Sequence, residues 1–313
     1  MTQAVITSPP SRQVDLRGSV GRHRREQLIR SLFLGAALIS VLISVAIILS
    51  LVFQAIEFVA RIDLSQLLAI GWFPRRGLFD IPTLVVGSLM VTGIAMAVAT
   101  PIGLGSAIYL AEYASPRVRR LIKPVLEVLA GIPSIVLGYF ALTVINPQVV
   151  SSIFSGADHF NLMAAGLAVG VLTIPLVASI AEDAMRAVPR SLREASYGLG
   201  ARRITTSLRV VFPAAVSGIV AALIIATSRA IGETMVVAIA AGGTGGSLFT
   251  VDPLGPGQTI TAAMASLATG SDQVRGSDAA FPSLFFLGLL LFLSTLLLNL
   301  LGDAFVRRTR QRY

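Results

Sequence analysis

Long runs of uncharged, apolar residues constrain this chain more than any other feature of its sequence. A run of about 20 such residues is long enough to cross a lipid bilayer as a helix. Hydrophobic residues make up 54% of the 313 positions and charged residues only 13%, whereas soluble domains carry about 25% charged residues. The predicted spans are Ser31–Phe53, Thr83–Leu110, Leu121–Ile145, Asn161–Ala181, Ala214–Ala241 and Pro282–Gly302. The sequence therefore predicts an all-α integral membrane protein with six transmembrane helices.

Basic residues are distributed unevenly around these spans. Of the 25 lysines and arginines, 20 lie before the first span, between the second and third, between the fourth and fifth, and after the sixth. Because cytoplasmic segments are enriched in Lys and Arg, we predict that both termini are cytoplasmic. The net charge of +9 is concentrated at span ends rather than on one polar face, which argues against nucleic-acid binding and for a lipid bilayer as the surrounding medium.

The chain divides by composition into three parts, the last of which contains a large loop. Residues 1–30 form a basic arm that is predicted to be partly disordered. Residues 31–53 form a first membrane helix, which is too long for the apolar region of a cleaved signal peptide. Residues 83–302 form the transmembrane core, and residues 182–213 form a large cytoplasmic loop within it.

The residues for several kinds of chemistry are missing from the sequence. The chain has no cysteine, and its two histidines lack partners at metal-ligand spacing. Its only lysine, Lys123, follows Ile122, whereas a phosphate-binding P-loop needs a Gly-Lys-Ser/Thr step. We therefore expect no metal site, no catalytic site and no cofactor in this chain. Any ATP and Mg²⁺ would be bound by a partner.

The loop between the fourth and fifth spans contains a short predicted helix. Ser191 and Glu194 have the spacing of a capping box, and Gly198 and Gly200 supply a stop. The residues on its weakly apolar face are Leu192, Ala195, Ser196 and Leu199. Such a helix either docks in a groove of another protein or lies on lipid headgroups.

The spacing in this loop resembles a known motif. Glu194-Ala195-Ser196, three residues, Gly200, nine residues and then Val210-Val211-Phe212-Pro213 is similar to the EAA motif of ABC-importer permeases. Ser196, Val210 and Phe212 depart from that motif. The resemblance implies that the loop carries a coupling helix that sits in a cleft of an ATPase subunit. The residues assigned to this coupling are Ser191, Arg193, Glu194, Ala195, Ser196, Gly200 and Pro213.

Three further stretches resemble the permeases of bacterial phosphate ABC importers, closest to the PstC type. They are residues 107–113, residues 129–134 and residues 229–234. The resemblance implies a type I (MetI-like) permease core, a homologous PstA-type permease, two PstB-type ATP-binding subunits and an extracytoplasmic PstS-type phosphate-binding protein. Sulfate and molybdate permeases carry a stretch related to the third one, usually followed by Phe, so Thr234 favours phosphate. The function implied is phosphate import by alternating access.

Two charged residues within the fifth span suggest how an anion passes. Arg229 and Glu233 are four residues apart and are predicted to lie on one face of the helix, well inside an apolar segment. An arginine at mid-membrane costs about 2.5–3.5 kcal/mol to insert, so it should face a partner or a wet cavity. Arg229 would then bind the oxyanion while Glu233 neutralises it in the empty path, or the two would form a permanent ion pair. The predicted path residues are Ser228, Arg229, Glu233 and Thr234.

The third span contains other polar or helix-breaking residues within the membrane. Glu127 is predicted to be buried and to pair with Lys123 four residues earlier. Pro133 is predicted to kink the span next to Ser134. Two other classes of protein stay open: an ion-coupled secondary transporter, which needs no ATPase, and a membrane scaffold or sensor without a passage.

Overall fold

A computed structural model describes residues 20–68, 70–242, 245–270 and 279–309. The first 19 residues of the predicted basic arm lie outside this described part. The chain divides into two compact units, residues 1–50 and residues 51–313. Within the described residues, the first unit is a single helical stretch whose side chains are almost all exposed. The second unit contains every other element.

The structure is almost entirely helical. The helices in the first half are α1 (Val20–Arg61), α2 (Ile81–Ile108, continued by a π-helical turn at Tyr109–Tyr113), α3 (Pro116–Ala130), α4 (Ser134–Phe140, continued by π-helix Ala141–Val150), α5 (Ser151–Ile153) and α6 (Leu162–Arg186). Those in the second half are α7 (Arg190–Gly198), α8 (Arg203–Thr206, continued by π-helix Ser207–Val211), α9 (Phe212–Ala214), α10 (Val216–Ile231), α11 (Met235–Ala240), α12 (Ile260–Ala268) and α13 (Ala280–Thr309). The 3₁₀ turns are Leu64–Leu68 and Pro74–Arg76. The strands β1 (Trp72–Phe73) and β2 (Leu78–Phe79) form an antiparallel hairpin.

Five helical stretches of the described residues are long and apolar enough to cross a membrane. They are Arg24–Arg61, Ile81–Tyr113, Ser134–Ile153, Leu162–Arg186 and Ala280–Arg308. A sixth crossing is obtained if the pair Arg203–Ala214 and Val216–Ile231, bent by 71°, is counted as one span. The predicted all-α membrane architecture is therefore confirmed.

The third predicted span, Leu121–Ile145, is wrong in its position. Its first half belongs to α3, a separate amphipathic helix without a buried residue, and the membrane-crossing stretch is Ser134–Ile153. Between them the chain breaks at residues 131–133, where Pro133 precedes the first residue of α4, Ser134. Proline disfavours a helical conformation in the residue before it, here Ile132, so the helix ends instead of kinking.

The second unit is built around two closely packed helices, α2 and α6. At Gly103 a Cβ atom would lie 2.7 Å from the side chain of Val177, and at Gly166 one would lie 2.7 Å from Ile94. Small residues therefore let the two backbones approach more closely than larger side chains would allow. Asn161 fixes the start of α6, where its Oδ1 accepts from the Ala164 N–H at 2.7 Å. That residue is also the predicted start of the fourth span.

A cluster of aromatic residues lies beside the β-hairpin, apart from the contact between α2 and α6. The rings of Phe58 and Phe79 meet edge-on with centroids 5.0 Å apart, and Trp72 lies 5.7 Å from Phe79. All three are buried, together with Leu267 of α12 and Leu287 of α13. This cluster connects the hairpin and the C-terminal helices, while the polar features described below lie elsewhere.

Candidate functional site

Helix α7 lies in the predicted coupling position, but it starts differently from the prediction. It begins at Arg190 with Pro189 as its N-cap, and no side chain caps it. Ser191 is therefore already inside the first turn, and the predicted capping box with Glu194 is not formed. The reason is local: proline fixes its own φ and suits a position just before or at the first turn, so the helix starts two residues earlier than predicted.

The end of α7 is as predicted. The Ala201 N–H donates to the Ser196 carbonyl at 3.1 Å, and the Gly200 N–H donates to the Tyr197 carbonyl at 2.9 Å. Gly200 has φ +78°, a left-handed conformation that glycine adopts without steric cost. These two bonds and this glycine form a Schellman motif. The glycine of the EAA-like motif therefore terminates the helix.

Arg193 fastens the inner face of α7 to the rest of the molecule. Its Nε and Nη2 donate to Glu112 Oε1 at 3.1 and 3.0 Å. Its Nη1 donates to the Val188 carbonyl at 2.7 Å and its Nη2 to the Met185 carbonyl at 2.9 Å. The Glu112 side chain is only 4% exposed and the Arg193 side chain 17%. A guanidinium that satisfies a buried carboxylate and two helix-end carbonyls holds α7 in one orientation.

The end of α2 receives a second arginine from the same loop. Arg203 donates to the Glu112 carbonyl oxygen and lies over the Tyr113 ring, 4.9 Å from its centroid. Ser196 Oγ and Thr206 Oγ1 are 2.8 Å apart, which joins α7 to α8. Sequence reasoning placed residues 107–113 only in a family resemblance and missed the partnership of Glu112 with the loop.

The outer face of α7 is free of such contacts. Within the described residues, Glu194 makes no hydrogen bond or ion pair. Tyr197 is 43% exposed and Leu199 is 91% exposed. The predicted apolar face is therefore divided, because Leu199 caps the helix and points away while Leu192 packs inward. Pro213 lies in the short α9, just before the fifth span, as predicted.

Lys123 pairs across the structure rather than along its own helix. Its Nζ donates to Glu182 Oε2 at 2.9 Å and to Asp183 Oδ1 at 2.7 Å, both on α6. Burial lowers the pKa of Lys123, but these two carboxylates more than offset that effect and raise it. Glu127 is exposed, so the predicted buried Lys123–Glu127 pair is wrong.

The fifth predicted span is broken where its charged residues lie. Helix α10 ends at Ile231 and α11 begins at Met235. The carboxylate of Glu233 accepts from the Val236 N–H at 3.4 Å, and its carbonyl accepts from Thr261 Oγ1 at 2.8 Å. The predicted continuous helix face shared by Arg229 and Glu233 is therefore wrong, because the turn at residues 232–234 directs Glu233 towards its own backbone.

Arg229 is left exposed at the end of α10. Among the described residues it forms no ion pair or hydrogen bond, including with Glu233. The alternative of a permanent Arg229–Glu233 ion pair is therefore not supported by the structure. Its neighbour Ser228 has a buried hydroxyl without a hydrogen-bond partner in the same part of the chain. Thr234 Oγ1 donates to the Gly232 carbonyl at 3.2 Å.

A polar segment before α12 packs against this break. The Ile260 N–H donates to Ser88 Oγ of α2 at 3.0 Å, next to the Thr261 bond to Glu233. Gln258 is 1% exposed, yet neither end of its amide has a partner among the described residues. A buried amide is costly to leave unsatisfied. Sequence reasoning missed Gln258, since nothing in its neighbours distinguishes it from a loop residue.

No group of three or more His, Cys, Asp or Glu residues suited to a metal ion occurs in the described ranges. The polar chemistry of the chain is instead concentrated at two places. One is the loop that contains α7 and is held by Arg193, and the other is the break in the fifth span beside Arg229.

Comparison with known proteins gives concordant matches. Residues 99–311 match the family model described as the binding-protein-dependent transport system inner membrane component. The chain is 32% identical over 275 residues to a probable ABC transporter permease protein, YqgH, of Bacillus subtilis, covering 83% of this chain and 85% of the relative. It is 31% identical over 296 residues to the phosphate transport system permease protein PstC of Haemophilus influenzae, covering 88% of this chain and 91% of the relative.

Solved structures give the same fold. A chain of a bacterial alginate ABC transporter, crystallised with its alginate-bound periplasmic protein, superposes with a TM-score of 0.65 at 15% identity. The match covers 92% of this chain and 96% of that one. A chain of the MetNI methionine ABC transporter in an inward-facing conformation gives a TM-score of 0.53 at 20% identity, covering 77% and 97%.

Proposed function

The chain belongs to the family of binding-protein-dependent transport system inner membrane components, and from that premise we propose that it is the PstC-type permease subunit of an ATP-driven phosphate importer. Its relatives at about 30% identity include several phosphate transport system permeases that match most of the chain. As a permease of this family it is a multi-pass membrane protein and a transport subunit rather than an enzyme.

The observation that carries the substrate assignment is the unpaired Arg229. It is exposed at a helix break within an apolar segment, and no side chain of the described residues neutralises it. A membrane arginine of this kind needs an anion or a wet cavity. Its planar fork of N–H donors matches the oxygens of a phosphate group. Ser228, whose hydroxyl has no partner among the described residues, would add a donor beside it, and Thr234 would add one on release from the Gly232 carbonyl.

The break itself favours a substrate path at this level. Transporters commonly bind substrate where a membrane helix is interrupted, since irregular backbone is tolerated only beside protein or a cavity. Here Glu233 stays engaged with Val236 and Thr261, so its charge is held away from an incoming anion. This arrangement supports the role of Arg229 as substrate donor and assigns Glu233 to the shape of the turn.

The coupling loop would transmit the work of a separate ATPase. We assign the outer face of α7, with Glu194, Tyr197 and Leu199, to contact with the ATP-binding subunit, and the inner face, through Arg193, to the end of α2. Movement of the ATPase would then be conveyed to two membrane helices at once, α2 and α6, which pack together. ATP and Mg²⁺ would be bound by that partner alone.

The remaining partners follow from the same premise. A PstA-type permease would complete the passage, two PstB-type subunits would supply ATP hydrolysis, and a PstS-type protein would deliver phosphate from outside. The basic loops that include α7 would face the cytoplasm, together with both termini. Sulfate or molybdate import is the second candidate, because Arg229 offers the same donors to any tetrahedral oxyanion.

Transport by the reconstituted complex tests this function. We expect ATP-dependent uptake of phosphate that needs the binding protein and that excess sulfate or molybdate does not reduce. Competition by sulfate as strong as by unlabelled phosphate would reject the substrate assignment. Uptake by this chain without ATP or the ATPase subunit would reject the ABC mechanism in favour of a secondary transporter. Assembly without uptake of any of these oxyanions would favour a scaffold.

A further inference from the structure

A cavity of about 260 Å³ opens at the base of the coupling helix, outside the proposed substrate path. It is formed where the end of α2 meets α3, α6 and α7. Its lining consists of Ala111, Arg119, Arg186, Arg190 and Arg193. Four of these five residues are arginines, contributed by three different helices.

Many of the N–H donors around this cavity are unused. Arg119 uses its Nε in an ion pair with Glu182 Oε1 at 3.0 Å. Arg186 approaches the same oxygen only to 3.8 Å, which is too long for a hydrogen bond. Arg190 is exposed and has no ion pair or hydrogen bond among the described residues. Each guanidinium carries five donors, so only Arg193 has used most of its capacity.

The carboxylates that pair with these cations do not balance their charge. The four arginines and Lys123, which shares Glu182, bring five positive charges. Their carboxylate partners Glu112, Glu182 and Asp183 bring three negative charges. Glu182 is fully buried and Glu112 is nearly so, which keeps both carboxylates out of the cavity. The difference is two positive charges, directed at a space large enough for a small anion.

We propose that this cavity binds a phosphate group. A phosphoryl group carries a charge of about −1.5 to −2 near neutral pH and offers several acceptor oxygens. Guanidinium forks match those oxygens in charge and in geometry. Two sources supply this chemistry on the side of α7: inorganic phosphate delivered by an importer, and the headgroup of an anionic phospholipid.

Occupation of this site has a structural consequence for coupling. Arg119 belongs to α3, Arg186 to α6 and Arg190 to α7. A bound phosphate group joins these three helices through one ligand and so restricts the movement of α7 relative to α6. The site therefore regulates the coupling loop without touching Arg229 or its neighbours.

The placement of these arginines exceeds what membrane topology requires. Loop arginines such as Arg117, Arg202 and Arg209 contribute equally to a positive cytoplasmic face, but they do not line the cavity. Topology needs only charge in the loop, and it does not require convergence from three helices. Convergence on a cavity is what a ligand requires.

Thermal unfolding of the purified complex in detergent tests the proposal. Inorganic phosphate is titrated against chloride at equal ionic strength, in an Arg229→Gln background that removes the main donor of the substrate path. We expect phosphate to raise the melting temperature by about 2–4 °C at saturating concentrations. The double substitution Arg186→Gln and Arg190→Gln should raise the apparent dissociation constant for phosphate at least about tenfold. Arg190 has no partner among the described residues, and Glu182 keeps Arg119 and Lys123 when Arg186 is replaced, so the variant should fold.

Arg209→Gln is the matched control, because it removes an exposed arginine from the same loop but outside the cavity. It should leave the phosphate effect unchanged. If phosphate has no effect in detergent, the complex is placed in vesicles with and without phosphatidylglycerol. Stabilisation by this lipid that depends on Arg186 and Arg190 supports the headgroup as the source. An effect equal in the double variant and in the control, or none with either ligand, overturns the proposal.

Discussion

Arg193, in the loop between the fourth and fifth spans, contacts the ends of two membrane helices, and Arg229 lies at the end of another, yet their surroundings are opposite. The Arg193 guanidinium donates hydrogen bonds to the Glu112 carboxylate and to the carbonyls of Val188 and Met185. Arg229 has no such partner in the described structure and is exposed. A satisfied arginine fixes the position of an element, whereas an unsatisfied one is available to a ligand. Under the proposed function, this contrast would separate the part that transmits movement from the part that meets substrate.

The largest loss of stability should come from replacing Arg193, whose hydrogen bonds are satisfied. Arg193→Met leaves the Glu112 carboxylate buried without its cation, which costs about 3–5 kcal/mol. We expect a much lower melting temperature of the purified complex or failure to assemble. Arg190→Met, on the same helix but without a partner, should change stability by less than about 0.5 kcal/mol. Equal stability of the two variants would contradict the fastening role of Arg193.

Replacing Arg229 should have the opposite pattern: transport should fall while stability is unchanged. If Arg229 binds the anion as proposed, Arg229→Gln removes charge-assisted hydrogen bonds worth about 1.5–3 kcal/mol each, so phosphate uptake should fall by about 10- to 100-fold. The melting temperature should not change. Both quantities are measured on the reconstituted complex, with Arg209→Gln as control. Normal uptake at normal expression would exclude the substrate role and remove the contrast.

A smaller effect is expected at the end of the coupling helix. Gly200→Ala places a Cβ atom on a residue with φ +78°, which costs about 1–2 kcal/mol. No other atom lies near this position, so the effect is purely conformational. Thermal unfolding should show this loss, and Gly198→Ala, inside the helix, should not. A Gly200→Ala variant as stable as the parent would mean that the Schellman turn does not restrain α7.

The smallest effect on stability should come from the outer face of α7. Leu199→Ser alters a side chain that is 91% exposed, so stability should change by less than about 0.5 kcal/mol. If this face contacts the ATPase subunit, recovery of that subunit on co-purification should still fall by about fivefold or more. Leu64→Ser, at another exposed leucine, should leave recovery unchanged. Unchanged recovery for both variants would remove Leu199 from the interface.

Local patterns predicted the parts of this structure that depend on neighbours in sequence. Apolar runs predicted the first, second, fourth and sixth spans with ends that lie within about two helix turns of the observed ones. They do so because bilayer thickness dictates the minimum length of a span. Gly200 gave the end of α7, since its role requires only the adjacent backbone. The start of α7 lies two residues before the predicted one, because Pro189 rather than Ser191 occupies the N-cap position.

Contacts between distant residues account for most of what was missed. Glu112 and Arg193 are 81 residues apart, and Lys123 reaches Glu182 and Asp183 at 59 and 60 residues. Helical spacing predicted Glu127 as the partner of Lys123 instead, because such spacing considers only residues of one helix. The break at residues 232–234 depends on the turn formed by Glu233 with Val236 and Thr261. The spacing of Arg229 and Glu233 assumes a continuous helix, so it could not predict this break.

The amphipathic helix α3 has one further consequence. It has no buried residue, it exposes Leu121, Val125 and Val128, and its cations Arg119 and Lys123 meet the single carboxylate of Glu182. A helix of this type resides at the boundary between acyl chains and headgroups. We therefore expect a displacement of α6 to move α3 along that boundary, which would make the free energy of the transport cycle depend on the surface charge and tension of the surrounding lipid.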